Sequence, residues 1–136
     1  MNGLKLVSTG SAMPKGVVTN EDLTKIVDTS DEWITTRTGI HTRRRCGEGE
    51  SHTQLCLAAA RQALERAGIA PEAVGVCLIA TFTGDHLNPA TACILQKELG
   101  FPEDTVCFDL NAACSGFVYA LHTAQCLLVA APRKFG

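Results

Sequence analysis

Charge of either sign is scarce in this 136-residue sequence: Asp, Glu, Lys and Arg make up 19% of it, and the formal net charge is −2. So weak a balance excludes a chain drawn to nucleic acid or to a membrane surface by its overall field. Aromatic residues are few as well, at 5%, with one Trp and one Tyr. The short basic run Arg43-Arg44-Arg45 has no aromatics interleaved with it, which argues against a nucleic-acid interface. No Cys-x-x-Cys pair and no other metal-ligand spacing is present, so no metal is expected. The opening residues, Met1-Asn2-Gly3-Leu4-Lys5-Leu6-Val7, lack the apolar stretch of a secretory signal. The longest strongly apolar run, Cys126 to Ala131, is too short to cross a bilayer. A cytoplasmic protein with no membrane partner is the expectation.

What is present is enough apolar material, 46% of the chain, for the core of one domain. The seven cysteines are Cys46, Cys56, Cys77, Cys93, Cys107, Cys114 and Cys126. Several lie inside apolar runs, such as Val76-Cys77-Leu78 and Val106-Cys107-Phe108, and read as reduced core residues.

The local patterns predict strands at Leu4–Thr9, Val74–Phe82 and Thr105–Leu110. The middle one is apolar and β-branched enough to be buried on both faces, as in a parallel sheet. Thr19-Asn20 before Glu21-Asp22 opens a helix reaching about Val27. Ser30 opens a second, short helix that Gly39 ends, with Arg43 to Arg45 in a basic loop beyond it. Ser51 and Gln54 fit a capping box, and the helix that follows stops at Gly68. Asn88-Pro89 reads as an N-cap with proline in the first turn of a helix ending at Gly100. From Cys114 to about Ala131 a helix is apolar nearly all round, which predicts burial. Strands alternating with helices imply an α/β fold with a mainly parallel or mixed sheet flanked by helices.

Chemistry in such folds gathers where strand ends meet helix starts. Cys114, in Asp109-Leu110-Asn111-Ala112-Ala113-Cys114-Ser115-Gly116-Phe117, stands at such a junction. Free backbone N–H groups there favour an anion, so a thiol can act as a nucleophile. The N–H of Cys114 would also be placed to donate to an oxyanion. The small neighbours Ala112, Ala113 and Gly116 would admit a substrate, although they equally suit close helix packing. His122 lies roughly 12 Å further along the helix axis and is out of reach as a base. His41, His52 and His86 cannot be paired with the thiol from spacing. Trp33 and Arg37, four residues apart, share a helix face and could hold a planar ring between them, with Arg43 to Arg45 neutralising phosphates. A Trp covering a small core beside a solvated basic edge is the alternative.

These segments, in this order, resemble the β-ketoacyl-acyl-carrier-protein synthase III family. The matching stretches are Thr9-Gly10-Ser11-Ala12-Met13-Pro14, Val27-Asp28-Thr29-Ser30-Asp31-Glu32-Trp33-Ile34 with Thr36-Arg37-Thr38-Gly39-Ile40, Ala67-Gly68-Ile69, and Asp109 through Leu121. The resemblance implies a thiolase-like fold of two α/β halves and a homodimer. It also implies an acyltransferase that starts fatty-acid synthesis: a cysteine takes acetyl from acetyl-coenzyme A, then condenses it with decarboxylating malonyl-acyl-carrier protein. By resemblance, Cys114 is that cysteine. Thr29, Trp33 and Arg37 contact coenzyme A, and Leu87 and Asn88 belong to the loop that crosses the dimer to shape the acyl pocket. Acetyl-coenzyme A is a substrate, and no separate cofactor is implied. The family's His and Asn come from a second half. Residues 1–136 are therefore expected to be an N-terminal half ending before its last strands, with bare apolar faces, an open sheet edge and no competence for condensation by itself. A non-catalytic remnant that binds coenzyme A or a partner half, and a sister thiolase-fold acyltransferase, are the alternatives.

Overall fold

A computed structural model of the chain describes residues 3–130. The first two residues of the expected non-secretory N-terminus and the expected helix end at Ala131 lie outside them. The chain divides into two compact units, residues 13–51 and residues 1–12 with 52–136.

In the first unit, strand β1 (Gly16–Thr19) leads into helix α1 (Asn20–Thr24), helix α2 (Asp31–Thr38) and strand β2 (Thr42–Arg45). β1 and β2 pair antiparallel, Gly16 opposite Arg45 and Thr19 opposite Thr42. The basic run is therefore a strand rather than the expected loop. Pairing accounts for its backbone, and the side chains of Arg43 and Arg44 reach local acceptors. Arg43 donates to Asn20 Oδ1 at 2.7 Å, and Arg44 reaches the carbonyls of Pro14 and Lys15. Asn20 is the hub of the unit, with only 1% of its surface exposed. Its amide nitrogen donates to Asp31 Oδ1 at 2.7 Å and Ile40 O at 2.8 Å. A buried amide with all these partners costs little to bury and fixes three segments at once.

Both helix starts follow their sequence signals. Ser30 Oγ accepts from Trp33 N at 3.1 Å, and Gly39, at φ 69°, closes α2. Thr19 and Asp22 form a reciprocal capping box around α1, which stops at Thr24, short of the expected Val27.

The second unit holds helix α3 (His52–Ala67), strand β3 (Val76–Ala80), helix α4 (Thr91–Leu99), strand β4 (Val106–Leu110) and helix α5 (Gly116–Ala130). β3 and β4 are parallel neighbours, Val76 opposite Val106 and Ala80 opposite Leu110. α4 packs on both strands and on α3, and contributes the most buried residues, Ala92 at 0% and Leu95 at 2% exposure. The alternation of strands and helices bears out the α/β class.

Three expectations fail here. Residues 4–9 form no strand, because they pair with α3 rather than with a sheet. Ser8 Oγ donates to Ala63 O at 2.6 Å, and Arg66 donates to Thr9 O at 2.9 Å. Gly10 allows the approach, since a Cβ there would collide with the carbonyl of Ala59. Secondly, Asn88-Pro89 does not start α4. The bond between them is cis and the helix begins at Thr91. Its cap comes from the far strand: the Asp109 carboxylate accepts from Thr91 N at 2.7 Å and Ala92 N at 2.9 Å. A carboxylate meeting two amides makes stronger hydrogen bonds than a neutral Asn side chain would. Asp85 serves α3 in the same way, accepting from His52 N and Thr53 N.

Thirdly, α5 is not buried. It packs on β3 through its buried Gly116 and Ala120, while Phe117 and Val129 are 72% and 70% exposed. The bare apolar faces expected of this chain are present. By length and composition alone, Ala113–Ala130 is apolar enough to cross a membrane. The shorter run ending at Ala131 understated this, and a soluble core helix passes the same test.

The Thr19 backbone N–H, then the Lys25 ammonium, hold the exposed Asp22 carboxyl down at about 2. A depressed value means that the charged form favours the folded cap. That contribution is present above the ordinary carboxylate range and is lost as pH falls through about 2. An NMR titration of the Asp22 carboxyl carbon should give a midpoint near 2; an ordinary carboxylate midpoint would mean that the capping box is open in solution.

Candidate functional site

β4 carries the chain out of the sheet at Leu110, whose carbonyl still accepts from Thr81 N at 3.1 Å. Ala112 follows at φ −142°, and Ala113 turns the backbone to φ 44°. For a residue with a Cβ, the left-handed region costs about 1–2 kcal/mol. A 3-10 turn over Ala113–Ser115 then runs directly into α5. Ser115 N donates to Ala112 O at 3.0 Å, and Gly116 N donates to Ala113 O. Cys114 lies in that turn and is exposed. The expected strand-to-helix junction is thus present, with the thiol in a tight turn just ahead of α5 rather than as its first residue. Gly116 makes the junction possible: a Cβ there would sit 3.2 Å from Ala80 Cβ, tighter than ordinary packing.

The other thiols differ. Cys77 and Cys107 are register partners on β3 and β4. Burial, then the neighbouring Cys107 and Asp109, push the Cys77 thiol up to about 12. Burial also raises Cys107. Two Cys–His pairs that spacing alone did not assign are present, Cys56 with His52 at 3.6 Å and Cys126 with His122 at 3.8 Å. The missed signal is a separation of four residues on one helix. Burial, then Asp109 and Asp85, push the Cys56 thiol up, the reverse of what a nucleophile needs. Among the described residues, no three His, Cys, Asp or Glu side chains are grouped to hold a metal ion.

In the other unit, the Arg37 guanidinium lies 4.5 Å from the centre of the Trp33 ring. Trp33 is half-exposed and lines a hollow of about 500 Å³ with Asp28, Thr29 and Ser30. Thr29, Trp33 and Arg37 are therefore neighbours, and the ring is not the lid of a core. Leu87 is fully exposed in the loop before α4, next to Asn88.

Residues 108–133, which contain the Cys114 turn, match the family model of 3-oxoacyl-[acyl-carrier-protein (ACP)] synthase III. A β-ketoacyl-[acyl-carrier-protein] synthase III of Clostridium acetobutylicum is 48% identical over 125 residues, which are 92% of this chain and 38% of that protein. The Aquifex aeolicus protein of the same name is 46% identical over 132 residues, 97% of this chain and 42% of its own length. The crystal structure of 3-oxoacyl-[acyl-carrier-protein] synthase III from Aquifex aeolicus superimposes with a TM-score of 0.85 at 47% identity, over 94% of this chain and 41% of that one. The chain is a relative of the synthase III proteins. Its fold is thiolase-like, as theirs is. It spans about two fifths of the length of these synthase III relatives. A priming β-ketosynthase of the R1128 polyketide pathway is also similar, with a TM-score of 0.80 at 33% identity over 93% of this chain and 40% of that one.

The synthase III relationship draws attention to a contrast among the thiols that can be measured directly. At about pH 8, roughly one part in ten thousand of a thiol held near 12 is ionised. A short pulse of iodoacetamide followed by peptide mapping should label the exposed Cys46, Cys114 and Cys126 and spare Cys77. Labelling of Cys77 at a rate comparable with theirs would show that β3 and β4 separate in solution.

Proposed function

We propose that the chain is the N-terminal half of a condensing enzyme that begins fatty-acid synthesis, and that Cys114 accepts the acyl group. The observation that carries this reading is the exposed thiol in a strand-to-helix turn inside the family-matched residues. In the first step the Cys114 sulfur forms a bond to the acetyl carbonyl carbon of acetyl-coenzyme A. Negative charge passes to the carbonyl oxygen, where the backbone N–H of Cys114 is suited to stabilise it. Collapse of that intermediate expels the coenzyme A thiolate, which takes up a proton, and leaves a thioester on Cys114. In the second step malonyl-acyl-carrier protein loses carbon dioxide, and the resulting carbanion attacks the thioester and frees Cys114. The His and Asn that the family uses for this second step belong to its other half.

Thr29, Trp33 and Arg37 are assigned to the coenzyme A end of the substrate. The hollow beside a half-exposed Trp, with an Arg guanidinium at its ring, suits a flat heteroaromatic base. Leu87 and Asn88 are assigned to a homodimer contact that shapes the acyl pocket, for which the full exposure of Leu87 is suited. The setting is cytoplasmic, with acetyl-coenzyme A and malonyl-acyl-carrier protein as substrates and no metal, nucleic acid or membrane taking part. The hollow beside Trp33, lined by Asp28, Thr29 and Ser30 and not by Cys114, favours a second reading, coenzyme A binding without acyl transfer.

Intact-mass spectrometry after incubation with acetyl-coenzyme A separates the two. The proposed function gives one acetyl adduct, absent from Cys114→Ser. Coenzyme A binding with no adduct supports the second reading. In calorimetry, Trp33→Ala should weaken coenzyme A binding by about two- to fivefold, the range of an exposed ring contact; undiminished binding would remove Trp33 from the site.

A further inference from the structure

We propose that Cys77 and Cys107 form a dithiol site on the α4 face of the β3–β4 pair, and that its ligand is a trivalent arsenical, which bonds both sulfurs through one atom. The two residues are register partners on adjacent parallel strands, so their side chains leave the sheet on the same face. Val76, Leu78 and Ala80 alternate with Cys77 and line a hollow beside α5. Cys77 and Cys107 therefore point the other way, toward α4. The Cys93 thiol of α4 reaches the Cys107 carbonyl at 3.8 Å, which agrees with that placement. The Cys77 and Cys107 thiols hydrogen-bond to each other. The nearby thiols are engaged elsewhere, Cys93 on that carbonyl and Cys56 on His52 at 3.6 Å. Both members of the pair are partly exposed, so a small reagent can reach them.

Spacing and charge select the ligand. Neighbouring strands lie about 4.8 Å apart, whereas a disulfide draws its Cβ atoms to about 3.8 Å. A direct sulfur–sulfur bond would pull the strands together; a single bridging atom spans the gap. Soft cations such as copper(I) also suit sulfur ligands, but two thiolates around one such ion leave a net negative charge. Burial, then Cys107 and Asp109, oppose an anion at Cys77. Trivalent arsenic leaves no charge behind. Its two arsenic–oxygen bonds are exchanged for two arsenic–sulfur bonds. Each thiol proton leaves with a departing hydroxide as water. Arsenic keeps its oxidation state, so neither oxidant nor reductant is needed.

The probe is phenylarsine oxide, incubated with the folded full chain and followed by native mass spectrometry. The wild type should gain one phenylarsenic group and lose two protons. A small dithiol should strip the adduct, and the same concentration of a monothiol should not. The adduct should be absent from Cys77→Ala and from Cys107→Ala. It should persist in Cys56→Ala and Cys93→Ala, which remove neighbouring thiols of the same size, and in Cys114→Ser. The wild type also gives a reading that needs no variant. The bridge joins residues distant in sequence, so loading should raise the unfolding midpoint by at least about 5 °C. An unmodified wild type, an adduct retained without Cys77 or without Cys107, an adduct lost with Cys56 or Cys93, or a midpoint that loading leaves unmoved or lowers would overturn the proposal.

Discussion

The unit that carries Cys114 depends on one carboxylate. Asp109 sits on β4 opposite Ile79, and its two oxygens take the amides of Thr91 and Ala92 at 2.7 and 2.9 Å. Those residues are 1% and 0% exposed, so water cannot replace the acceptor. An amide left unpaired in such a place costs about 1–3 kcal/mol. A carboxylate is itself costly to bury, and two charge-assisted bonds offset that cost. The same side chain thus ties β4 to the start of α4.

The consequence for chemistry is positional. The strand that holds Asp109 continues through Leu110, still paired with Thr81, into the turn bearing Cys114. The loop with Leu87 and Asn88 enters α4 at the two amides that Asp109 accepts. Thiol and loop therefore hang from one rigid pair of elements, as a site requiring fixed geometry should. In the other unit, buried Asn20 has the corresponding part, joining α1, α2 and β2 so that α2 presents Trp33 and Arg37 to solvent.

Signals acting over a few residues were legible in the sequence. Ser30, Gly39, Gly68 and Gly100 cap or end helices as their side chains, or lack of one, dictate. The α/β class and the Trp33–Arg37 contact followed from periodicity, and the Cys114 junction from an apolar strand running into an apolar helix. What failed depended on distant partners. Arg43 to Arg45 looked like a loop because their strand partner begins at Gly16. The start of α4 was misplaced because its cap lies eighteen residues on, at Asp109. Residues 4–9 have strand composition, but α3 claims their hydrogen bonds. Burial of α5 was read from its own composition, whereas burial depends on what packs against it. Ala113 gave no sign at all, since alanine is a residue that normally avoids positive φ.

Amide hydrogen exchange at Thr91 and Ala92, compared between the wild type and Asp109→Asn, is the most direct measurement of the carboxylate clamp. These two amides should exchange as slowly as the interior of α4 in the wild type and at least tenfold faster in the variant, with the α1 amides unaffected, a tenfold change being about 1.4 kcal/mol. If they exchange at the rate of exposed loop amides in the wild type, or are indifferent to the substitution, Asp109 does not hold the strand of Cys114 to α4.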